Sequence, residues 1–255
     1  MSALHLIIDG AIAEIRLDNP SKLNALTPDM LAALESHCAE LERNSAVRAV
    51  ILTAEGERAF CAGADINAWS GLPPAEFARH WVRDGHRIFD RLARLSKPTV
   101  AAISGHAFGG GLELASACDI RVMGPGATLS LPEASVGIVP GWSGTQRLAR
   151  LLPEPVIKEM ILFGRRVSAD RALALGYVAE IADDPRHVAR TIAEKTLQTS
   201  PRAAEVAKYM IHAGSGEDSA ALIEALGSGM IAASADKAEG VEAFRAKRKP
   251  EFPGT

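Results

Sequence analysis

Apolar residues dominate positions 4–8 and 11–17, with Asp9-Gly10 between them. That pattern predicts a pair of strands joined by a type I′ turn. The polar run Asp18-Asn19-Pro20-Ser21-Lys22 ends the second strand. From Thr27 the spacing becomes helical: Leu31, Leu34, Cys38 and Leu41 recur at intervals of three and four. Thr27 as N-cap and Pro28 in the first turn predict a helix running to residue 43. The apolar run over 47–53 reads as a buried strand, and the long loop AEGERAFCAGADINAW follows it. A helix is expected over 74–95, with Phe77, Trp81, Ile88 and Leu92 on its core face. Strands are expected over 99–103, 120–123 and 128–131. Gly109-Gly110-Gly111 interrupts them and opens a short helix in LELASACD. Helices over 144–152, 155–163 and 168–175, the last stopped by Gly176, and a strand over 177–181 complete this part.

Beyond residue 185 the pattern is helical throughout, over 185–199, 201–213, 217–234 and 236–247. The chain therefore divides into an α/β core, residues 1–195, and an all-helical region, 196–255. The core repeats coarsely as strand, strand or loop, then helix. In the helical region the apolar stripe Ile223, Leu226 and Met230 would be costly to leave in water, so it should cover a partner or the body. At 255 residues, 47% apolar and 23% charged, the composition is that of a globular chain long enough to bury a large core. A net charge of −3 offers no basic field for nucleic acid. Three scattered cysteines without a CxxC pair argue against a disulfide framework and for a reducing cytosol. The N-terminus lacks the form of a signal peptide, and no apolar run reaches the ~20 residues of a membrane span. A soluble cytoplasmic protein is expected.

Three segments carry candidate chemistry. In SGHAFGGGLELASACDI, successive glycines let backbone approach a ligand. If a helix begins there, its first N–H groups lack internal partners and suit an anion or a developing oxyanion. Glu113 follows two residues later; taken alone, it fits equally a helix-start carboxylate favoured by the dipole. Glu133 lies in LSLPEASVGIVPGWSGTQRL, whose prolines and glycines make a stiff loop. A solvated loop carboxylate is one reading; two glutamates sharing a water as general base and general acid is the other. AFCAGADI is a third stretch of small residues whose N–H groups either face a ligand or line a tight packed loop.

Together these segments resemble the enoyl-CoA hydratase/isomerase (crotonase) family. LDNPSKLNALT, AFCAGADI, KPTVAAISGHAFGGGLELASACDIRV, PEASVGIVPGWSGTQRL, GRRVSADRALALGYV and EGVEAFRAKRKPEF resemble six family segments in family order, across nearly the whole chain. The resemblance implies a spiral of ββα units with C-terminal helices that build a trimer, commonly stacked into a hexamer. It implies hydration of 2-enoyl-CoA thioesters, with CoA as part of the substrate and no separate cofactor or metal. Its oxyanion-hole N–H groups map to Ala64 and Gly110, and both hydratase glutamates are present, as Glu113 and Glu133. Ser21, Lys22, Leu23, Ala62, Ala64, Asp65 and Ile66 match the CoA-contacting region. Phe244 and Lys247 match C-terminal positions that approach the CoA of a neighbouring subunit. Leu131 stands where the family often has Gln, and Trp142 and Ser143 stand where it often has small residues. Those departures bear on acyl specificity: Trp142 either walls the acyl site or packs outward.

Within that family, enoyl-CoA isomerisation or dehydration of a particular 3-hydroxyacyl-CoA is the nearest alternative, and the two glutamates favour water chemistry. A serine hydrolase would need G-x-S-x-G, but Ser143 lies in G-x-S-G-T. Neither a P-loop nor a dinucleotide fingerprint occurs. His80 and His86, six residues apart, are expected at the surface.

Overall fold

The opening strands pair antiparallel, β1 (Ala3–Asp9) with β2 (Ile12–Asp18). Asp9 faces Ile12, so the connection is Gly10-Ala11. Gly10 has φ +61°, and neither Asp9 nor Ala11 joins it in the left-handed region. One positive φ, at the first central residue, is the pattern of a type II′ turn, which corrects the type I′ expectation. A computed structural model of the chain describes residues 2–255.

β2, β3 (Ala49–Ala54), β5 (Thr99–Ile103), β7 (Ile120–Met123) and β10 (Glu180–Ile181) continue the sheet in parallel, in the order β1-β2-β3-β5-β7-β10. A strand buried on both faces needs apolar residues at every position. In β3, Val50 and Leu52 enter the larger core, while Ala49 and Ile51 enter a smaller one on the opposite face. β5 divides likewise: Ala101 and Ile103 to the larger core, Val100 and Ala102 to the smaller. The smaller core is closed by Ala189 and Ala193 of the helix Pro185–Glu194. The larger one takes in the apolar stripe of the helix Pro28–Arg43, capped by Thr27 as expected.

A second sheet has the order β4 (Ala59–Cys61), β6 (His106–Phe108), β8 (Thr128–Ser130) and β9 (Val167–Ser168), of which the sequence pattern predicts only β8. Its strands of two or three residues are too short to show an alternation. Three further expectations change. The helix over 74–95 is interrupted by a π-helical turn, Phe77–Val82, before Arg83–Ala93. The helix over 144–152 shrinks to Leu148–Leu151. The strand over 177–181 shrinks to Glu180–Ile181, because the Tyr177 and Val178 N–H groups still donate to the carbonyl of Ala172.

Contacts divide the chain after Glu205. The segment beyond the helix Pro185–Glu194 stays with the first unit because the Arg48 guanidinium donates to the carbonyls of Thr196 and Thr199. The second unit, Val206–Thr255, contains the helices Ser219–Ala232 and Ala235–Ala246. Its C-terminal strand of chain folds back on the latter through Arg248–Glu239 and Ala235 N–H to Thr255 O bonds. Ile223, Met230 and Phe244 are 70%, 72% and 86% exposed there. Among the described residues, no helix is long and apolar enough to cross a membrane.

Candidate active site

The loop 19–26 is zipped to the loop 59–65. Ala62 N–H donates to Leu23 O, Leu26 N–H to Gly63 O, and Asp65 N–H to Leu26 O, at 2.8–2.9 Å. Leu23 and Asn24 both take left-handed backbone, at φ +53° and +56°. Asn tolerates that conformation, and here its side chain also ties the loops together. Asn24, wholly buried, accepts from Asn19 N–H and donates to the carbonyls of Glu55 and Ala59. Sequence reading missed this residue; the signal was an Asn flanked by apolar residues in a loop. Lys22 Nζ lies 3.0 Å from Asp65 Oδ2, on the same edge. With Asn67 N–H, it holds the Asp65 carboxyl below the usual carboxylate range. The pair is exposed, so it orders the edge more than it stabilises the fold. Ser21 and Ile66 are exposed beside it. The structure thus gathers the residues around Lys22 and those around Asp65 along one rim.

Behind the rim, two backbone segments pass closely. Gly63 has φ +108° and Gly109 φ +51°, conformations that other residues adopt only with strain. A Cβ on Gly63 would lie 3.2 Å from Phe108 O, and one on Gly109 would lie 2.9 Å from Glu133 Oε1. A Cβ on Gly110 would lie 3.6 Å from the Ala64 nitrogen, so those two N–H groups are neighbours. Neither finds an acceptor among the described residues. Gly110 opens the short helix Gly110–Ala115, where an N–H has no intrahelical partner. Both residues line a cavity of about 150 Å³.

Glu113 and Glu133 line the same cavity. Both are buried, at 2% and 7% exposure. Glu113 Oε1 accepts two N–H bonds, from Trp142 at 2.8 Å and Gly144 at 2.6 Å. Residues 144–147 form a turn that leads into the helix Leu148–Leu151. Burial pushes the Glu113 carboxyl up to about 7, against the opposing pull of the two N–H groups and the Arg147 charge. Glu133 is likewise pushed up to about 7, first by burial and then by the charge of Glu113. Its Oε2 is buried without a hydrogen-bond partner. The two N–H donors on Glu113 favour its ionised form.

The cavity wall is aromatic. Trp69, Trp81 and Trp142, all the tryptophans of the chain, line it with Phe77. Trp142 does not pack outward: it is 3% exposed, with Nε1 donating to Trp81 O and its ring 5.2 Å from those of Trp81 and Phe89. A Cβ on Gly85 would lie 2.1 Å from Trp142 Nε1, so the helix Arg83–Ala93 accommodates the indole by lacking a side chain there. His80 is exposed as expected, whereas His86 is only partly so and reaches the Ser143 hydroxyl. The nearby Cys61 thiol is pushed up to about 12 by burial, which removes it as a nucleophile at neutral pH. Among the described residues, no three His, Cys, Asp or Glu side chains cluster as a metal site. Phe244 and Lys247 belong to the second unit, where Lys247 ends its helix in left-handed backbone.

Comparison with known proteins places the chain in a family. The family model for enoyl-CoA hydratase/isomerase matches residues 8–255. The chain is 36% identical to a short-chain-enoyl-CoA hydratase of Clostridium acetobutylicum, over 95% of this chain and 94% of that protein. It is 39% identical to a probable enoyl-CoA hydratase of Bacillus subtilis, over the full length of both. The crystal structure of an enoyl-CoA hydratase from Bacillus anthracis superposes with a TM-score of 0.80 at 33% identity, covering 99% of each chain.

Proposed function

The chain belongs to the enoyl-CoA hydratase/isomerase family, and from that premise we propose that it reversibly adds water across the C2–C3 double bond of 2-enoyl-CoA thioesters. The observation that carries this reading is the pairing of two buried, coupled carboxyls with two unpaired N–H donors around one cavity. The thioester carbonyl lies between the Ala64 and Gly110 N–H groups, which take the charge that develops as it becomes an enolate. Ionised Glu113 removes a proton from water while the oxygen attacks C3. Protonated Glu133 delivers its proton to C2, and the enolate collapses to the 3-hydroxyacyl thioester. Dehydration runs the same steps backwards. An isomerisation could proceed with one carboxyl as a shuttle; a second buried carboxyl favours the addition of water. The CoA moiety lies along the rim of Ser21, Lys22, Leu23, Ala62, Asp65 and Ile66.

The cavity is small beside the ~300–1,000 Å³ of drug-sized ligand pockets, and the Trp142 indole occupies depth that a long chain would need. Each methylene excluded forfeits about 0.8 kcal/mol of burial. On a panel of enoyl-CoA thioesters of increasing chain length, followed by loss of the conjugated-thioester absorbance, kcat/KM is expected to be highest for short chains. Trp142→Ala should move that optimum to longer chains with little loss on crotonyl-CoA. No turnover of any enoyl-CoA would reject the hydratase reading; an unchanged profile in the variant would leave Trp142 a packing residue.

The enzyme works as a trimer or a dimer of trimers in the cytosol. The exposed Ile223, Met230 and Phe244 support a covered surface on the helical region. In the assembly Phe244 and Lys247 approach the CoA of a neighbouring subunit. Light scattering should return a mass that is a multiple of three chains; a stable monomer at micromolar concentration would overturn the assembly.

A further inference from the structure

Ser143 occupies an unusual place. It is buried and carries φ +88°, backbone that serine rarely adopts. Its two neighbours, Trp142 and Gly144, are the residues whose N–H groups meet on Glu113 Oε1. A residue bent in this way turns the N–H groups on either side of it toward one anionic atom. The Ser143 hydroxyl lies 3.1 Å from Nδ1 of His86, on the helix Arg83–Ala93. Nε2 of the same ring lies 3.5 Å from Asp90 Oδ2, and Asp90 Oδ1 accepts from the buried Arg147 guanidinium. Arg147 N–H in turn donates to Ser143 O at 3.0 Å. Ser143 is thus gripped through its side chain and through its carbonyl.

We propose that His86 is a positioning residue for Glu113: its bond to the Ser143 hydroxyl holds the left-handed backbone that turns the Trp142 and Gly144 N–H groups onto the carboxylate. The inference rests on the reading of Glu113 as the base. The groups that bear on the Glu113 charge are Glu133, which opposes it, Arg147, which favours it, and the two N–H donors. His86 and Asp90 lie one step further out, on the adjoining helix. Losing the donors destabilises the ionised form, so the Glu113 carboxyl titrates at higher pH.

Steady-state kinetics across pH test this with five variants. Ser143→Ala keeps a Cβ at a positive φ but loses the hydroxyl; kcat is expected to fall about tenfold, the rate equivalent of one hydrogen bond. KM should stay within about twofold, and the acid limb of kcat/KM should move to higher pH. Ser143→Gly, which adopts φ +88° without strain, should restore both kcat and the limb. His86→Ala should reproduce Ser143→Ala in the parent and lose most of its effect in the Ser143→Gly background, because the route through the hydroxyl has been bypassed and only the longer one through Asp90 and Arg147 remains. Equal losses from His86→Ala in both backgrounds would overturn the proposal. So would a Ser143→Ala protein with parental kcat and limb, a comparison that stands even if His86→Ala fails to fold. Full activity in Glu113→Gln would instead remove the base assignment, whereas an inactive Glu113→Gln beside an unaffected Ser143→Ala removes only the clamp.

Discussion

Glu113→Gln and Glu133→Gln are each expected to slow hydration of crotonyl-CoA by roughly 10²- to 10⁴-fold, the usual contribution of a positioned acid or base. Thioester binding should survive, since the carbonyl is held by backbone N–H groups that neither change touches. The same variants report on stability with the opposite sign. Both carboxyls are raised from an ordinary 4.5 to about 7 in the fold. Between those values the folded state binds more protons than the unfolded one. The stability they contribute is therefore fully present below about pH 4.5 and lost as pH rises through about 7. At about pH 8 the parent carries buried charge at a cost on the order of a few kcal/mol. Each Gln variant lacks its share of that cost and should be more stable than the parent there, with the gap closing toward about pH 5. Denaturant midpoints at the two pH values would measure it. Near-parental turnover would reject the two-carboxyl mechanism, and a gap that widened on acidification would reject the assigned ionisation.

Gly110→Pro should cost roughly 10²-fold or more in kcat, the loss found when one oxyanion donor is deleted. Gly110 is the first residue of its helix, where the fixed φ of proline fits and no intrahelical hydrogen bond is sacrificed. A side chain there nevertheless meets the Trp142 ring, since a Cβ would lie 2.9 Å from its Cε3 and Cζ3. Gly110→Ala introduces the same Cβ and keeps the N–H, so the difference between the two variants isolates the donor. Circular dichroism should show both folded. Equal activity of Pro and Ala at this position would move the oxyanion donor elsewhere.

Much of the fold is legible in the order of residues along the chain. The hairpin, the Thr27-capped helix and the doubly buried β3 and β5 follow from spacing alone, because each reports contacts two, three or four residues away along one element. Glu113, Glu133, Ala64 and Gly110 are legible as residue types in motifs of fixed order. The extent of the helix expected over 144–152 is not: residues 144–147 form a turn, with Arg147 N–H bonded to Ser143 O, and the regular helix is confined to Leu148–Leu151.

By itself the sequence determined the α/β class, the helical end region, the family and the motifs in which Glu113 and Glu133 stand, since these depend on local periodicity and on short motifs. The tertiary structure alone decided that Glu113 and Glu133 share a cavity, that burial brings both near neutrality, and that Gly63 and Gly109 let two loops pass backbone to backbone. It also decided that Trp142 turns inward over Gly85 and that His86, expected at the surface, reaches Ser143. The reason is common to all of these. Desolvation and hydrogen-bond competition depend on which distant segments the fold brings within a few ångströms, and a pattern along the chain carries no record of that distance.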